Sequence, residues 1–435
     1  MAIRVAYTHP IAIGRARSLG GSVPEMGNES FVIVGASLAG AKAAQELRER
    51  GFDGRVVLIG AESERPYERP PLTKDYLRGE SEREKAYVHR AEFYGEQDIE
   101  LMTGATVTAI DPDGSRVTLD DGRDVAFDRL LLATGAEPRR LEVPGAELGG
   151  VYYLRTLGDC DELRARIEDS ERVVVVGAGW IGSEFAASAR QRGLEVTVID
   201  PLALPNERIF GAEIGAFYRD VHTGHGVEML LGQGLEAFEG DGTVGRVRTT
   251  AGKVVECDFA VVGVGIAPRT QIAGDAGVAV DNGVIVNEHL ESSVPGIFAA
   301  GDVANAWHPL YEHHIRVEHW ANALNQGPAA ARAMLGEDVS YDRIPYFFSD
   351  QYDVGMEYSG YATSWDEVVF RGDREGGEFI AFWLRDGGVV GGMNVNVWDV
   401  NQHVQALIRS RGSVDVAALT DPDTPLDSLV ADPTA

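Results

Sequence analysis

The sequence predicts an α/β fold in which two doubly wound units are followed by a C-terminal α+β domain. Two stretches predict the doubly wound units, because at residues 31–40 and again at residues 173–182 an apolar run breaks at a glycine-rich turn. Such runs are typical of buried parallel strands. Beyond residue 341 the sequence changes to alternating, aromatic-rich segments. That change predicts a separate domain with its own sheet.

The first glycine-rich turn departs at one position from the dinucleotide-binding fingerprint Gly-x-Gly-x-x-Gly. Gly35 and Gly40 occupy the outer positions, but Ser37 replaces the middle glycine. The following helix leads to a second apolar run that ends at Ala61 and Glu62. In this architecture a helix N-terminus meets a pyrophosphate and a carboxylate meets a ribose hydroxyl. With its departure, the motif alone is weak evidence, and an ordinary tight turn between a strand and a helix is the alternative.

The second turn has all three glycines, Gly177, Gly179 and Gly182, and the strand after its helix ends at Asp200. Two copies in one chain indicate two Rossmann-like dinucleotide-binding units. A carboxylate at the position of Asp200 accepts hydrogen bonds from the adenine ribose and repels a 2′-phosphate. The second unit is therefore predicted to prefer NADH to NADPH.

Two further stretches place polar side chains at defined positions. Consecutive prolines at 70 and 71 predict an extended, rigid segment that fixes Arg69 and Lys74, although a surface loop with solvated charges has the same composition. Asp302 follows an apolar run and precedes a predicted helix. It is placed either to bind sugar hydroxyls or to serve as a helix N-cap.

Charge and cysteine content exclude several function classes. The net charge of −29 argues against nucleic acid as a partner, because phosphate binding needs a basic face. The two cysteines, Cys160 and Cys257, form no Cys-x-x-Cys pair and no metal-ligand set, and we expect both to be buried and inert. No apolar run is long enough to span a bilayer. We expect a cytoplasmic enzyme without a membrane partner, preceded by a disordered extension at residues 1–28.

Together, these motifs resemble the putidaredoxin and ferredoxin reductase family of FAD- and NADH-dependent flavoproteins. The motifs beyond the glycine turns are Tyr67-Glu68-Arg69-Pro70-Pro71-Leu72-Thr73-Lys74, Ala133-Thr134-Gly135, Tyr153-Leu154-Arg155-Thr156-Leu157, Ala300-Gly301-Asp302 and Phe348-Ser349-Asp350-Gln351-Tyr352. The resemblance implies a fold of the glutathione-reductase type. It predicts an FAD-binding domain at 29–145 and 267–335, an NADH-binding domain at 146–266 and a C-terminal domain at 336–435.

The resemblance also implies which residues hold the cofactors. Those expected to hold FAD are Gly35, Ser37, Ala39, Gly40, Ala61, Glu62, Arg69, Lys74, Val107, Ala133, Gly135, Arg155, Asp302 and Trp320. Those expected to hold NADH are Gly177, Gly179, Ile181, Gly182, Asp200 and Gly265. Lys74 and Glu184 are expected to meet beside the flavin as the catalytic pair, with a purely structural ion pair as the alternative. Phe348 stands where many relatives carry tryptophan.

The implied activity is electron transfer from NADH through FAD, one electron at a time, to a small acidic ferredoxin-type protein that serves an oxygenase. An NADH oxidase or a quinone-reducing flavoprotein of the same fold is the alternative, and a redox-sensing interaction protein is a second. An acidic carrier needs a locally basic rim on this acidic chain. The candidate rim residues are Arg69, Arg139, Arg140, His313, His314 and Arg316, which are otherwise solvated charges. A homodimer is left open.

Overall fold

The computed structural model describes residues 29–430, so the predicted extension at residues 1–28 and the last five residues lie outside the described residues. The first sheet contains five parallel strands. In spatial order they are Ile297–Ala299, Arg129–Leu132, Ser30–Val34, Arg55–Gly60 and Ile99–Thr103. The central strand is almost wholly buried, which explains its unbroken apolar sequence.

The second sheet repeats this arrangement with five parallel strands. In spatial order they are Glu228–Leu231, Glu195–Asp200, Arg172–Val176, Phe259–Val262 and Val151–Tyr152. The chain leaves the first sheet after residue 132 and returns to it at residue 297. In sequence, the whole second sheet is therefore inserted between two strands that are spatial neighbours in the first sheet. The predicted α/β class with two parallel sheets is confirmed.

Smaller antiparallel and mixed sheets flank the two parallel ones. Their strands are Val107–Asp111, Arg116–Leu119 and Asp124–Ala126; Leu235–Asp241, Thr243–Thr249 and Val254–Glu256; Ala136–Pro138 with Ile266–Pro268; and Val284–Val286, Ala304–His308 and His313–Arg316. The pair between residues 136–138 and 266–268 joins the segments that enter and leave the second unit.

The C-terminal part forms one antiparallel sheet with helices against it. Its strands, in spatial order, are Tyr346–Gln351, Val354–Gly360, Gly388–Val395, Glu378–Arg385 and Glu367–Asp373. Trp383 is completely buried in this sheet. The predicted aromatic-rich α+β unit is therefore present.

Six helices of ten residues or more pack on these sheets within residues 29–430. They are Leu38–Glu49, Leu157–Glu168, Trp180–Gln191, Ala212–Gly224, Trp320–Met334 and Asn401–Ser410. Shorter helices are Asp75–Arg78, Phe93–Glu96, Glu207–Phe210, Gln271–Asp275 and Val416–Thr420, with 3-10 turns at Pro70–Thr73, Arg83–Ala86, Gly301–Val303 and Leu426–Leu429. None of the helices in the described part of the chain is both long and apolar enough to cross a membrane.

Candidate functional site

A cavity of about 800 Å³ lies where the first sheet, the second unit and the C-terminal sheet meet. Most of the residues predicted to bind a cofactor line it. They are Gly35, Ser37, Ala39, Ala61, Glu62, Arg69, Lys74, Val107, Ala133, Gly135, Arg155, Ile181, Asp302 and Trp320, and Glu184 of the predicted catalytic pair lines the cavity as well. The structure therefore brings together residues that are up to 285 positions apart in the sequence.

One end of the cavity is formed by the first glycine turn. Gly35 has a φ of +121°, and a Cβ on it would overlap the carbonyl oxygen of Ala133. Gly40 lies directly behind it, because a Cβ there would overlap the carbonyl oxygen of Gly35. The helix that follows has Ser37 as its N-cap, without a side-chain capping bond, and no acidic residue in its first turn. Its N-terminal amides can therefore receive an anion.

Charged and hydroxyl groups form one wall of the cavity. Arg155 pairs with Asp302 at 2.8 Å. Arg69 donates to the backbone oxygen of Arg155 at 2.8 Å and to the hydroxyl of Tyr67 at 3.0 Å. Tyr67 in turn donates to Glu62, and burial raises the pKa of Tyr67 to about 12, so this hydroxyl remains a donor at neutral pH. Hydrogen bonds and ion pairs thus connect three chain segments in this wall, namely residues 62–69, Arg155 and Asp302.

The double proline adopts a helical turn and not the predicted extended segment. Pro70 and Pro71 begin the 3-10 turn Pro70–Thr73, and Arg69 before them has helical backbone angles, φ −85° and ψ −29°. The prediction was wrong because the proline ring fixes φ near −65°, a value that suits the first turn of a helix as well as an extended chain. The turn nevertheless directs both Arg69 and Lys74 into the cavity wall.

Lys74 and Glu184 meet at this cavity. Lys74 Nζ lies 2.7 Å from Glu184 Oε2, and both side chains are nearly buried, 12% and 9% exposed. Glu184 also accepts hydrogen bonds from the hydroxyls of Thr73 and Ser349, at 2.5 and 2.7 Å. Lys74, Thr73 and Ser349 thus supply three donors to one carboxylate, and these contacts compensate for its burial. The predicted meeting of Lys74 and Glu184 is thus present in the structure.

Aromatic rings surround the end of the cavity near this pair. Lys74 Nζ lies 5.5 Å from the centre of the Phe348 ring, and Trp320 meets Phe348 edge to face at 5.9 Å. Trp180, from the first turn of the helix after the second glycine turn, packs edge to face on Phe347. A flat apolar group can therefore be enclosed here beside a cation.

The remaining predicted residues lie outside the cavity. Gly177, Gly179, Gly182, Asp200 and Gly265 belong to the second glycine turn and the strand ends beside it, and Gly40 lies behind the first turn. Asp200 is buried, and its carboxylate accepts hydrogen bonds from the amides of Ala178 and Leu202 at 2.7 and 2.8 Å. A carboxylate has about four acceptor positions, so Asp200 retains capacity for a ligand hydroxyl.

Sequence reasoning missed several residues of the cavity wall. His319 and Phe347 line it and pack on each other with ring centres 4.6 Å apart, and Arg269 lines it opposite Glu137. His319 was detectable, since it is the sequence neighbour of Trp320, which the resemblance assigns to FAD binding. Arg269 carried no signal, because its segment reaches the cavity only through the strand pair between residues 136–138 and 266–268.

Two of the six predicted rim residues do not lie on a rim. Arg69 is part of the cavity wall, and the Arg316 side chain is 9% exposed and pairs with Glu318 at 2.5 Å. Both guanidinium groups are used inside the protein because each finds a carboxylate there. The candidates that are exposed are Arg139, Arg140, His313 and His314.

Comparison with known families matches nearly the whole described chain. The family model described as pyridine nucleotide-disulphide oxidoreductase matches residues 29–327, and the family model described as reductase C-terminal matches residues 346–430.

Three curated relatives illustrate the similarity. Rhodocoxin reductase of Rhodococcus erythropolis is 38% identical over 368 residues, which are 84% of this chain and 86% of the relative. Putidaredoxin reductase of Pseudomonas putida is 36% identical over 411 residues, 93% of this chain and 97% of the relative. The ferredoxin–NAD(+) reductase component of the anthranilate 1,2-dioxygenase system of Burkholderia cepacia is 38% identical over 410 residues, 93% and 100% of the two chains.

Two solved structures show the same similarity at the level of the three-dimensional fold. The ferredoxin reductase for the CYP199A2 system from Rhodopseudomonas palustris has a TM-score of 0.89 at 36% identity and covers 93% of this chain and 100% of its own. The covalent putidaredoxin reductase–putidaredoxin complex also has a TM-score of 0.89 at 36% identity, with 94% and 99% covered.

Proposed function

The chain belongs to the putidaredoxin and ferredoxin reductase family of oxidoreductases, and on that premise we propose that it binds FAD and transfers electrons from NADH, one at a time, to a ferredoxin-type iron–sulfur protein that serves an oxygenase. The observation that carries the proposal is the single cavity that extends from the first glycine turn to Lys74, Glu184 and the helix of the second glycine turn. The same cavity would therefore hold FAD at the first glycine turn and extend to the helix of the second turn, which is proposed to bind NADH.

The residues of the cavity fit a flavin dinucleotide. The first glycine turn offers helix amides without a competing carboxylate, which suits a pyrophosphate. Arg155 Nε and His319 Nδ1 are buried without a hydrogen-bond partner among the described residues, and both side chains line the cavity. Buried polar atoms are almost always paired, so a ligand that supplies partners is expected here.

We assign the cofactor residues accordingly. FAD would be held by Gly35, Ser37, Ala39, Gly40, Ala61, Glu62, Arg69, Lys74, Val107, Ala133, Gly135, Arg155, Asp302 and Trp320. NADH would be held by Gly177, Gly179, Ile181, Gly182, Asp200 and Gly265. The division into an FAD-binding domain (29–145 and 267–335), an NADH-binding domain (146–266) and a C-terminal domain (336–435) is supported by the chain's departure from the first sheet after residue 132 and its return at residue 297.

When bound, flavin accepts a hydride from a nicotinamide and releases electrons singly, which a nicotinamide cannot do. The chain's own residues bind and orient the cofactors and exclude water from them. Lys74 supplies a fixed cation, Glu184 holds that cation in one place, and the rings of Phe347 and Phe348 cover the same end of the cavity. Positioning and electrostatics therefore supply the rate enhancement, and no side chain needs to transfer a proton in the hydride step.

The cysteines support an external electron acceptor. Cys160 and Cys257 lie in different core clusters, and neither lines the cavity. Burial raises the pKa of each thiol to about 12, so both remain protonated. The chain therefore has no dithiol beside the flavin site that could take electrons, as a disulfide reductase would require.

The test is anaerobic reduction of the purified flavoprotein by NADH, followed by addition of a small ferredoxin. We expect the flavin absorbance to bleach on NADH addition and to return when oxidised ferredoxin is supplied. If air or a quinone restores the absorbance faster than every ferredoxin tried, the oxidase alternative replaces the proposal. A flavin that NADH leaves oxidised would contradict both.

The catalytic role of Lys74 is tested against the structural alternative. Lys74→Ala should slow hydride transfer about tenfold to a hundredfold, by loss of a positioned cation. Since that change leaves Glu184 buried without its partner, the Lys74→Met/Glu184→Gln pair, which removes both charges at similar volume, is the sharper variant. A normal hydride-transfer rate in the charge-free pair would leave the ion pair a structural role only. Lys85→Ala, at an exposed lysine, is the control.

The acidic carrier is proposed to dock on the exposed basic candidates Arg139, Arg140, His313 and His314. Turnover with ferredoxin should then fall as salt rises, because salt screens charges between exposed surfaces. Reduction of a small uncharged acceptor should not change over the same salt range. A flat salt profile with ferredoxin would remove electrostatic docking. A homodimer remains a prediction, checked by the mass of the flavoprotein in light scattering.

A further inference from the structure

A row of buried polar side chains extends from the ion pair at the cavity into the protein interior. Ser349 Oγ lies 2.7 Å from Glu184 Oε1, Gln351 Nε2 lies 3.2 Å from Ser349 Oγ, and His222 Nε2 lies 2.9 Å from Gln351 Oε1. His222, Ser349 and Gln351 are at most 1% exposed. His222 belongs to the helix Ala212–Gly224, so this row joins the second unit to the C-terminal sheet.

Only one arrangement of protons satisfies every member of the row. One oxygen of Glu184 faces Lys74, and the other accepts the single hydroxyl proton of Ser349. The Ser349 oxygen then accepts from the amide nitrogen of Gln351. The carbonyl oxygen of Gln351 therefore faces His222 and needs a donor. Consequently His222 carries a proton on Nε2, and this donor holds the amide of Gln351 with its nitrogen toward Ser349.

The surroundings of His222 keep it neutral. Burial lowers the pKa of His222 to about 4, against the opposing effect of Gln351. On the solvent side the hydroxyl of Tyr352 lies 3.4 Å from His222 Nδ1, and the ring of His225 stacks on Tyr352 with centres 3.7 Å apart. At the other end Lys74 pairs with Glu184, and Asp350 and Tyr218 are further ionisable groups that interact with this carboxylate. The row thus ends at a histidine that the ring of Tyr352 covers on the solvent side.

We propose that His222, acting through the two side chains between them, positions Glu184 against Lys74 for hydride transfer. The catalytic meaning of this role rests on the proposed function. In the absence of the His222 donor, the Gln351 amide can turn over and present its carbonyl oxygen to Ser349, and this oxygen then competes with Glu184 for the single hydroxyl proton. The Nε2 proton of His222 prevents that turn by occupying the carbonyl oxygen of Gln351. Loss of the Nε2 donor lets the row rearrange, so that Lys74 loses its fixed partner.

The experiment compares His222→Phe, which keeps the ring and loses the donor, with His222→Gln, whose side-chain amide restores it. His225→Phe is the matched control, since it keeps the stack on Tyr352 and lies outside the row. The chain has four lysines, Lys42, Lys74, Lys85 and Lys253. Isotope-labelled lysine therefore gives four NMR signals in the flavoprotein, and Lys74→Arg identifies the one from Lys74.

We expect the Lys74 signal to move toward that of an exposed lysine in His222→Phe and to keep its position in His222→Gln and His225→Phe. The limiting rate of flavin reduction at saturating NADH should fall about tenfold in His222→Phe, as expected when the hydrogen bond from Ser349 to the Glu184 carboxylate is lost in turn, with the Kd for NADH unchanged. Ser349→Ala removes the same support one step closer and should shift the same signal, which keeps the test available if His222→Phe does not fold.

An unmoved Lys74 signal in folded His222→Phe and Ser349→Ala would overturn the proposal. So would a His222→Gln variant as defective as His222→Phe, because any structural disruption would then explain both. The signal is read without NADH, so it remains informative if NADH does not reduce the flavin. Failure of the proposed function and failure of the positioning role are thereby distinguished.

Discussion

The two glycine turns are built alike where the backbone is concerned. Gly35 and Gly177 both have a positive φ, +121° and +104°, and a Cβ on either would overlap a carbonyl oxygen of the neighbouring strand end. Gly40 and Gly182 both lie against the carbonyl oxygen of the first glycine of their own turn. The helices that follow are each twelve residues long, with an N-cap that makes no side-chain capping bond. The first and third glycines are thus required by the packing of strand on helix.

The two turns differ at the middle position. Ser37 and Gly179 have φ values of −120° and −76°, which any residue adopts. A Cβ built on Gly179 meets nothing within 4 Å. The polypeptide itself therefore does not require glycine at this position. A side chain at the middle position extends into the space that a ligand would occupy. The difference between Ser37 and Gly179 therefore indicates that the two turns bind different ligands, and it does not reflect a difference in fold.

The turns also differ at the end of the following strand. Ile59 pairs with Val34 and Ile199 pairs with Val176, so Gly60 occupies the place in the first unit that Asp200 has in the second. Asp200 accepts the amide of Ala178 in its glycine turn. The acidic residue of the first unit, Glu62, comes two positions later and instead binds Tyr67 and Arg69. In the second unit the carboxylate is hydrogen-bonded to the glycine turn, whereas in the first unit the carboxylate is hydrogen-bonded to residues of the cavity wall.

The largest expected effect separates the two turns by cofactor. Gly35→Ala should yield protein that retains little flavin and is less stable by about 1–3 kcal/mol or more, because a strained φ and a backbone overlap occur together. Gly177→Ala has the same defect, yet it should retain flavin and lose reduction by NADH. Flavin content per chain and NADH titration measure this. Equal flavin loss in both variants would mean that the turns do not serve separate ligands.

Asp200→Asn tests the carboxylate of the second unit. One of its two backbone donors then faces an amide nitrogen, so the free energy of unfolding should fall by about 1–3 kcal/mol. The preference for NADH over NADPH, in kcat/KM, should fall about tenfold with the negative charge removed. Glu62→Gln is the matched change in the first unit and should leave this preference unaltered. A wild-type protein that uses NADPH as well as NADH would refute the assignment of Asp200 directly.

Much of this comparison could be predicted from the sequence, and the reasons are local. The strands and helices around both turns follow from apolar runs and glycines that are neighbours in the chain. The 3-10 turn at Pro70 could not be predicted, because proline fixes φ but leaves ψ to the surroundings. The contacts of Asp200 with backbone amides depend on the register between two strands, which spacing alone does not give.

The support of the ion pair lay beyond prediction for a different reason. Lys74 and Glu184 were paired by resemblance, but Ser349 and His222 join them across separations of more than a hundred residues in the sequence. No periodicity connects a helix of the second unit with an edge strand of the C-terminal sheet. Arg316 was misassigned for another reason, since its sequence neighbourhood does not show that its guanidinium turns inward onto Glu318 and the backbone oxygen of Asp302.

A smaller effect is expected from placing the first unit's serine in the second. Gly179→Ser should leave the free energy of unfolding within about 0.5 kcal/mol of wild type, since the space around the new side chain is empty. KM for NADH should rise about tenfold, because the side chain occupies the approach of the pyrophosphate. Thermal unfolding and steady-state rates check the two expectations. A stability loss as large as that of Gly177→Ala would show that the middle position is required by the fold after all.

The reverse exchange, Ser37→Gly, should have the smallest effect. Glycine gains freedom in the unfolded chain, so the apoprotein should lose about 0.5–1 kcal/mol. The space opened at the N-terminus of the helix Leu38–Glu49 should let FAD bind about threefold more tightly, which is worth less than 1 kcal/mol and nearly offsets that loss in the flavoprotein. Thermal unfolding with and without FAD, and FAD titration of the apoprotein, measure the two effects.

Ser37→Ala separates the two parts of the serine side chain, because it keeps the Cβ and removes the hydroxyl. If Ser37→Ala binds FAD as wild type does, the Cβ alone sets the distance at which the pyrophosphate approaches the helix. If it binds FAD more weakly than both serine and glycine, the hydroxyl itself hydrogen-bonds the cofactor. The first turn would then hold its ligand through a side chain as well as through backbone amides, whereas the second turn, with Gly179 at the same position, would rely on its backbone alone.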